Sequence, residues 1–220
     1  MRGIVAALER FYGPLAVPPD DPFRAYVWEV LATQATPARR DAAYGALQRI
    51  PALTPDAMFR APRLKLTQAV ALAGPYQEPR LQALLTAVAR FRRQPGLSGT
   101  VRGRLWAARR AIEPLPRLGE GSVHRLLLFG GGHAIVPVDR DTARLAIRLG
   151  VSDEGHDPAG TARKARRALQ AVLPGDAAAL KHAALYLRHH AQHTCTEEPH
   201  CRVCPLSDQC PSARAFPDVT

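Results

Sequence analysis

Residues 190–210 run HAQHTCTEEPHCRVCPLSDQC and hold all four cysteines of the chain: Cys195, Cys201, Cys204 and Cys210. The 194 residues before Cys195 contain none. A disulfide framework spreads its cysteines, because cross-links that close long loops restrict the unfolded chain most. Four cysteines within 16 residues read instead as a metal site. Their spacing is C-x5-C-x2-C-x5-C. Four thiolates on one short loop suit a cubic [4Fe–4S] cluster, in which each iron takes one protein sulfur. Zinc usually takes two C-x2-C pairs separated by a longer insert, and here only Cys201 and Cys204 make such a pair. The spacing favours the cluster and leaves zinc open.

Outward from this loop, the chain is basic. Thirty Lys and Arg oppose 19 Asp and Glu, a formal net charge of +11 with a pI near 10.4. Lys65, Lys164 and Lys181 are the three lysines, which leaves 27 arginines. Such a balance fits a polyanionic partner, nucleic acid before an anionic membrane. The excess is concentrated. No acid lies between Glu78 and Glu113, a stretch holding Arg80, Arg90, Arg92, Arg93, Arg102, Arg104, Arg109 and Arg110. Arg163, Lys164, Arg166 and Arg167 form a second knot. Any one of these reads as part of a solvated helix face. Together they read as phosphate contacts, each releasing counterions on binding. Residues 195–220 are the exception, with Glu197, Glu198, Asp208 and Asp218 against Arg202 and Arg214, a local net of −2.

With 46% apolar residues, a 220-residue chain of 23.9 kDa can bury a real core, which excludes wholesale disorder. Its 20 Pro and 16 Gly follow no period, which excludes a collagen-like rod. No stretch approaches the ~18 apolar residues of a spanning helix. Glu9-Arg10 interrupts the apolar run that a signal peptide needs. A soluble, cytoplasmic, nucleoid-associated monomer is expected.

The pattern is helical nearly throughout. Asp21-Pro22-Phe23 opens a helix reaching about Ala35, and Thr36-Pro37 starts another. Further helical patterns cover about 55–60, 64–73, 79–93 and 103–113, separated by Pro and Gly breaks. Leu118-Gly119-Glu120-Gly121-Ser122-Val123 precedes a very apolar helix ended by Gly130-Gly131-Gly132. Glycines at 119 and 121 let a backbone approach a phosphate closely, and the next helix start aims N–H groups at it, although a lone GxG often marks an ordinary turn. Asp139 stands at another helix start, where a carboxylate is by itself an N-cap. Helices at 158–172 and 176–194 lead into the cysteine loop. His182, His189, His190 and His193 read as packing or capping at the end of that helix.

Four separate motifs, in order, resemble the endonuclease III-like helix-hairpin-helix DNA glycosylases over most of the chain. They are the cysteine loop with His190–Cys195 ahead of it, Leu31-Ala32-Thr33-Gln34-Ala35-Thr36, Leu118-Gly119-Glu120-Gly121, and Val138-Asp139-Arg140-Asp141-Thr142-Ala143-Arg144. The resemblance implies an all-α fold of two helical lobes flanking a DNA-binding cleft. A helical barrel with the helix-hairpin-helix would span residues 21–135, and residues 1–20 with 136–220 would form the cluster lobe. It implies a [4Fe–4S] cluster on the four cysteines and Asp139 as the catalytic residue, rather than Asp141, because that register places Arg144 on the family's arginine. It also implies DNA contacts at Gln34, Pro75, Gly119, Gly121, Ser122 and Arg144, with double-stranded DNA bearing a damaged, mismatched or abasic site as partner. Gln34 would fill the gap left by a flipped-out base, and Pro75 stands where the second wedge residue is usually leucine.

The sequence departs from that family at one chemical position. Strand-cutting members carry a lysine after the hairpin that attacks the sugar C1′ and forms a Schiff base. Val123 stands there, and no lysine lies between Lys65 and Lys164. The expected activity is therefore monofunctional, hydrolytic base removal with weak or no lyase chemistry. The alternative is a DNA-lesion or abasic-site binding protein with little catalysis, and a zinc-dependent DNA-binding module is a third reading. Glu120, Glu197 and Glu198 place negative charge where phosphate contacts are expected.

Overall fold

The computed structural model describes residues 1–215; the last five, with Asp218 of the charge count above, lie outside the described residues. Among the described residues there are twelve α-helices and no strand, so the architecture is all-α. In chain order they are α1 (Arg2–Tyr12), α2 (Pro22–Ala32), α3 (Pro37–Arg49), α4 (Pro55–Arg60), α5 (Arg63–Ala71), α6 (Gln77–Arg93), α7 (Leu97–Arg102), α8 (Leu105–Ile112), α9 (Glu120–Phe129), α10 (Arg140–Arg148), α11 (Pro158–Val172) and α12 (Ala177–His193). The helices fall into two compact units. One is Pro18–His133, and the other joins Met1–Val17 to the chain from Ala134. No described helix is long and apolar enough to cross a membrane.

Helix starts follow one local rule. Asp21, Thr36, Thr54 and Asp157 each accept a hydrogen bond from the backbone N–H three residues on, and each is followed by proline at the first helical position. The side-chain oxygen satisfies an orphan donor, and the proline presets φ while giving up an N–H that had no partner. Residues 97–102, between the Pro/Gly breaks of the sequence, form α7, and the helix expected at 103–113 begins at Leu105. Helix α1 has no counterpart in the sequence reading; it buries Val5 and Leu8 and packs on α12.

In the Pro18–His133 unit, α2 is the central helix. It buries nine of its eleven residues and packs against α3, α6, α7 and α9. A helix apolar on nearly all sides is one wrapped by its neighbours. Its Tyr26 hydroxyl lies 3.1 Å from the Ala83 carbonyl and 3.0 Å from that of Pro116, tying α2 to α6 and to the segment ahead of α9. Glu29, also on α2, meets Arg125 of α9 in a buried pair, with Nε 2.9 and 3.1 Å from the two carboxylate oxygens. The Gly130-Gly131 stop packs closely: a Cβ at 131 would stand 2.7 Å from the Leu127 carbonyl oxygen and 2.9 Å from that of Val101.

In the other unit α10 packs on both α11 and α12. Leu145, Ala146, Ala165, Leu169, Leu180, Leu187 and Leu206 form its core.

The Glu29–Arg125 pair gives a direct stability test. Arg125→Met strands a buried carboxylate and is expected to lower unfolding free energy by about 3–5 kcal/mol. Glu29→Leu with Arg125→Met should recover most of that loss in urea denaturation, because the double variant removes both charges together.

Candidate functional site

Helix α10 organises the chemistry-bearing residues of its unit. Asp139 is its N-cap, in extended backbone conformation, and one carboxylate oxygen accepts from the Thr142 amide at 3.0 Å and from the Thr142 hydroxyl at 2.9 Å. The other oxygen faces the Arg188 guanidinium of α12, with Nε at 3.4 Å. The carboxylate is partly exposed, at 24% of its side-chain surface. It is oriented at both ends yet still reachable from solvent. Asp141, two residues on, pairs with Arg144 at 3.0 Å.

At its other end α10 grips the cysteine loop. Arg144 donates to the carbonyls of Ala191 (2.9 Å) and Cys195 (3.2 Å). Its observed partners are thus protein groups. Arg148, one turn later, donates to the carbonyls of Cys195, Thr196 and Glu197 and approaches Cys195 Sγ at 3.4 Å. Charged donors on the carbonyls of Ala191, Cys195, Thr196 and Glu197 hold the loop better than neutral ones would.

The four cysteines line one hollow, with Leu145, Leu149, Leu206 and His190 among its walls. The Leu206 amide donates to Cys204 Sγ at 3.4 Å, and His190 Nε2 lies 3.7 Å from that sulfur. His190 is buried, and burial first, then the neighbouring His189, brings its pKa down to about 4, so the ring is neutral. The Tyr12 hydroxyl of α1 sits 2.7 Å from His190 Nδ1 and also meets the Thr194 hydroxyl. The Cys201 and Cys204 thiols have raised pKa values, through burial above all, with added repulsion from the other cysteines. Among the described residues no three His, Cys, Asp or Glu side chains converge as a single ion requires. Zinc would need thiolates about 2.3 Å from one centre, whereas a cubane gives each thiolate its own iron. Four cysteine thiols around one hollow supply one sulfur for each iron of a cubane.

In the other unit, Gln34 follows α2 on an exposed loop, with φ 52, and Pro75 lies exposed between Gly74 and Tyr76 in the α5–α6 turn. Gly119 is the N-cap of α9, with no side-chain cap. A Cβ there would meet nothing within 4 Å, so internal packing does not require the glycine. Gly121, Ser122 and Val123 lie in the first turn of α9, and the Ser122 hydroxyl accepts from Arg125 at 3.0 Å.

No protein-family model matches the sequence. Solved structures do match. A trapped covalent intermediate of endonuclease III with DNA superposes with a TM-score of 0.74 at 18% identity, covering 99% of this chain and 97% of that one. A thermostable thymine-DNA glycosylase matches with a TM-score of 0.73 at 16% identity, over 97% and 96% of the two chains. The H. pylori 3-methyladenine DNA glycosylase bound to 1,N6-ethenoadenine gives 0.60 at 15%, over 94% and 96%. The chain has the endonuclease III fold.

Within that fold two site residues, Arg148 and Arg188, are absent from the sequence-based candidates. Arg148 carried a signal, since it lies four residues after Arg144 on one helix face. Arg188 carried none, because its partner Asp139 is distant in sequence. Arg80 corrects one expectation: counted among the phosphate contacts, it is fully buried and bonded to backbone carbonyls. Arg90 likewise donates to the Ala111 carbonyl, and Arg102 to that of Asp20.

Arg148→Ala should open the cysteine loop. Loss of about 1.5–3 kcal/mol of charge-assisted bonding predicts cleavage in residues 195–200 accelerated on the order of tenfold or more under limited proteolysis. Arg140→Ala, which removes only the exposed 2.6 Å pair with Glu197, should leave the rate nearly unchanged.

Proposed function

We propose that the protein is a base-excision-repair DNA glycosylase that removes its base with water. The observation that carries this reading is the partly exposed, oriented carboxylate of Asp139 at the head of α10 in a chain of endonuclease III fold. The structural relatives that are DNA glycosylases support it, and so does the basic charge. Breaking a C1′–N glycosidic bond builds positive charge on the sugar. The electron pair leaves with the base, and water oxygen bonds to C1′. Asp139 stabilises that charge and takes the water proton. Thr142 and Arg188 hold the carboxylate against rotation while it does so.

Val123 supports a monofunctional reaction. Its side chain has no nucleophile for C1′, so the Schiff base that precedes strand elimination has no amine at this position. Double-stranded DNA with a damaged, mismatched or abasic site is the proposed partner, with Gly119 and the first turn of α9 receiving a phosphate. Gln34 and Pro75 would lie near the base that is displaced. Arg144 contributes through the cysteine loop that it holds. The protein is proposed to act as a monomer on cytoplasmic, nucleoid-associated DNA.

Cys195, Cys201, Cys204 and Cys210 would hold a [4Fe–4S] cluster, which supplies rigidity to the loop and no step of base removal. The purified protein should then be yellow-brown, with broad absorbance near ~400 nm from sulfide-to-iron charge transfer. A colourless protein with stoichiometric zinc would contradict it.

A second reading is favoured by one feature: both oxygens of Asp139 already meet protein groups. A lesion-binding protein with little catalysis would look the same. Duplexes carrying single lesions decide between them. Release of free base, followed by mass spectrometry, should fall by at least on the order of 10²-fold in Asp139→Asn. Binding of abasic duplex without release from any lesion supports the second reading.

A further inference from the structure

The far end of α6 borders a groove that the proposed chemistry does not use. It is an open hollow of about 640 Å³ between α4, α6 and α7, with Pro55, Asp56, Phe59, Arg92, Arg93 and Pro95 among its walls. Ligand clefts span roughly 300–1,000 Å³, and this hollow falls within their range. Phe59 is 59% exposed there. The Arg92 guanidinium lies 3.6 Å from the centre of the Phe59 ring, and Arg92 Nε is 2.9 Å from an Asp56 carboxylate oxygen. Ring and carboxylate together fix the plane of the guanidinium. Arg93 is held too, its Nε donating to the Ala89 carbonyl at 3.1 Å. Among the described residues no acceptor is paired with the Nη groups of either arginine.

Two kinds of surface meet in this groove. Fixed, planar N–H forks suit carboxylates, and Asp56 already shows a carboxylate seated on one of them. Beside them, Pro55, Pro95, Ala89 and the Phe59 ring form a wall that gains stability when an apolar side chain covers it. No acid lies between Glu78 and Glu113, so the stretch that supplies Arg92, Arg93 and Pro95 opposes no anionic ligand. A DNA duplex fits the groove poorly. Its bases are stacked inside and offer the wall nothing apolar, while Asp56, 68% exposed, meets its phosphates with like charge. Pro75, the proposed DNA contact, also stands at the other end of α6, about 25 Å from Arg93 along the helix axis.

We propose that this groove docks an acidic peptide segment of a partner protein. An aromatic side chain of the peptide covers the apolar wall at Phe59, and the carboxylates on either side meet the Nη groups of Arg92 and Arg93. One peptide supplies both halves of the match, with charge to select the site and apolar area to hold it. The arginines need little reordering for the partner, because Phe59, Asp56 and the Ala89 carbonyl already set them. The inference goes beyond the glycosylase reading and gives the Pro18–His133 unit a surface for a protein partner.

The test uses the full chain and the fluorescein-labelled peptide DEDFDED, with binding followed by anisotropy at physiological ionic strength. Wild type should bind it at least about fivefold more tightly than the control peptide DEDSDED, the gain from burying the aromatic ring. Phe59→Ser should bring the two peptides level, and Arg93→Glu should weaken both by about tenfold or more. Arg2→Glu, an equal change of charge on the exposed first turn of α1, should leave both affinities within about twofold. Phe59 and Arg93 are both exposed, and Arg93→Gln serves if the charge reversal lowers the urea midpoint. Absent or equal binding of the two peptides by wild type would overturn the proposal, as would a loss in Arg2→Glu as large as that in Arg93→Glu. So would single-stranded oligothymidylate whose own affinity falls in Phe59→Ser, which would assign the groove to nucleic acid. Release of base from lesion duplexes is read separately, so neither result decides the other.

Discussion

Helix α10 is the constraint on which the proposed chemistry depends. In nine residues it sets a carboxylate at one end and grips the cysteine loop at the other. The Thr142 bonds and the Arg188 pair fix Asp139, and Arg144 and Arg148 fix the carbonyls of Ala191, Cys195, Thr196 and Glu197. A helix transmits such fixity because its backbone hydrogen bonds leave few soft torsions between its ends. The loop is thus more than a place for a metal group. Its anchorage and the orientation of Asp139 share one rigid element.

Arginine performs two different tasks here. Some of the 27 arginines serve the interior or the loops: Arg80, Arg90, Arg102, Arg144 and Arg148 all donate to main-chain carbonyls. The planar fork of donors reaches several acceptors at once, which the point charge of lysine cannot do. Others, such as Arg104 and Arg110, remain exposed. The net charge of +11 therefore overstates the charge free to meet phosphate.

What could be read from the sequence was local. Asp or Thr followed by Pro, the glycine stop at 130–132 and the N-cap at Asp139 are all set within a few residues, and each stands where it was expected. The exceptions have long-range causes. Helix α1, eleven residues long, buries only Val5 and Leu8, and its partner α12 lies at the far end of the chain. Burial of Arg80 depends on a carbonyl 47 residues away. The pairing of Asp139 with Arg188 depends on how α10 meets α12. Likewise, His190 falls between Tyr12 and Cys204, three segments that no periodicity links.

We propose base removal through water, without an enzyme amine. A single-turnover reaction on a lesion-bearing duplex, run with and without borohydride and resolved with and without hot alkali, tests it most directly. Strand breaks are expected only after alkali, with no covalent protein–DNA adduct. Strand scission without alkali, with an adduct trapped by borohydride, would contradict it.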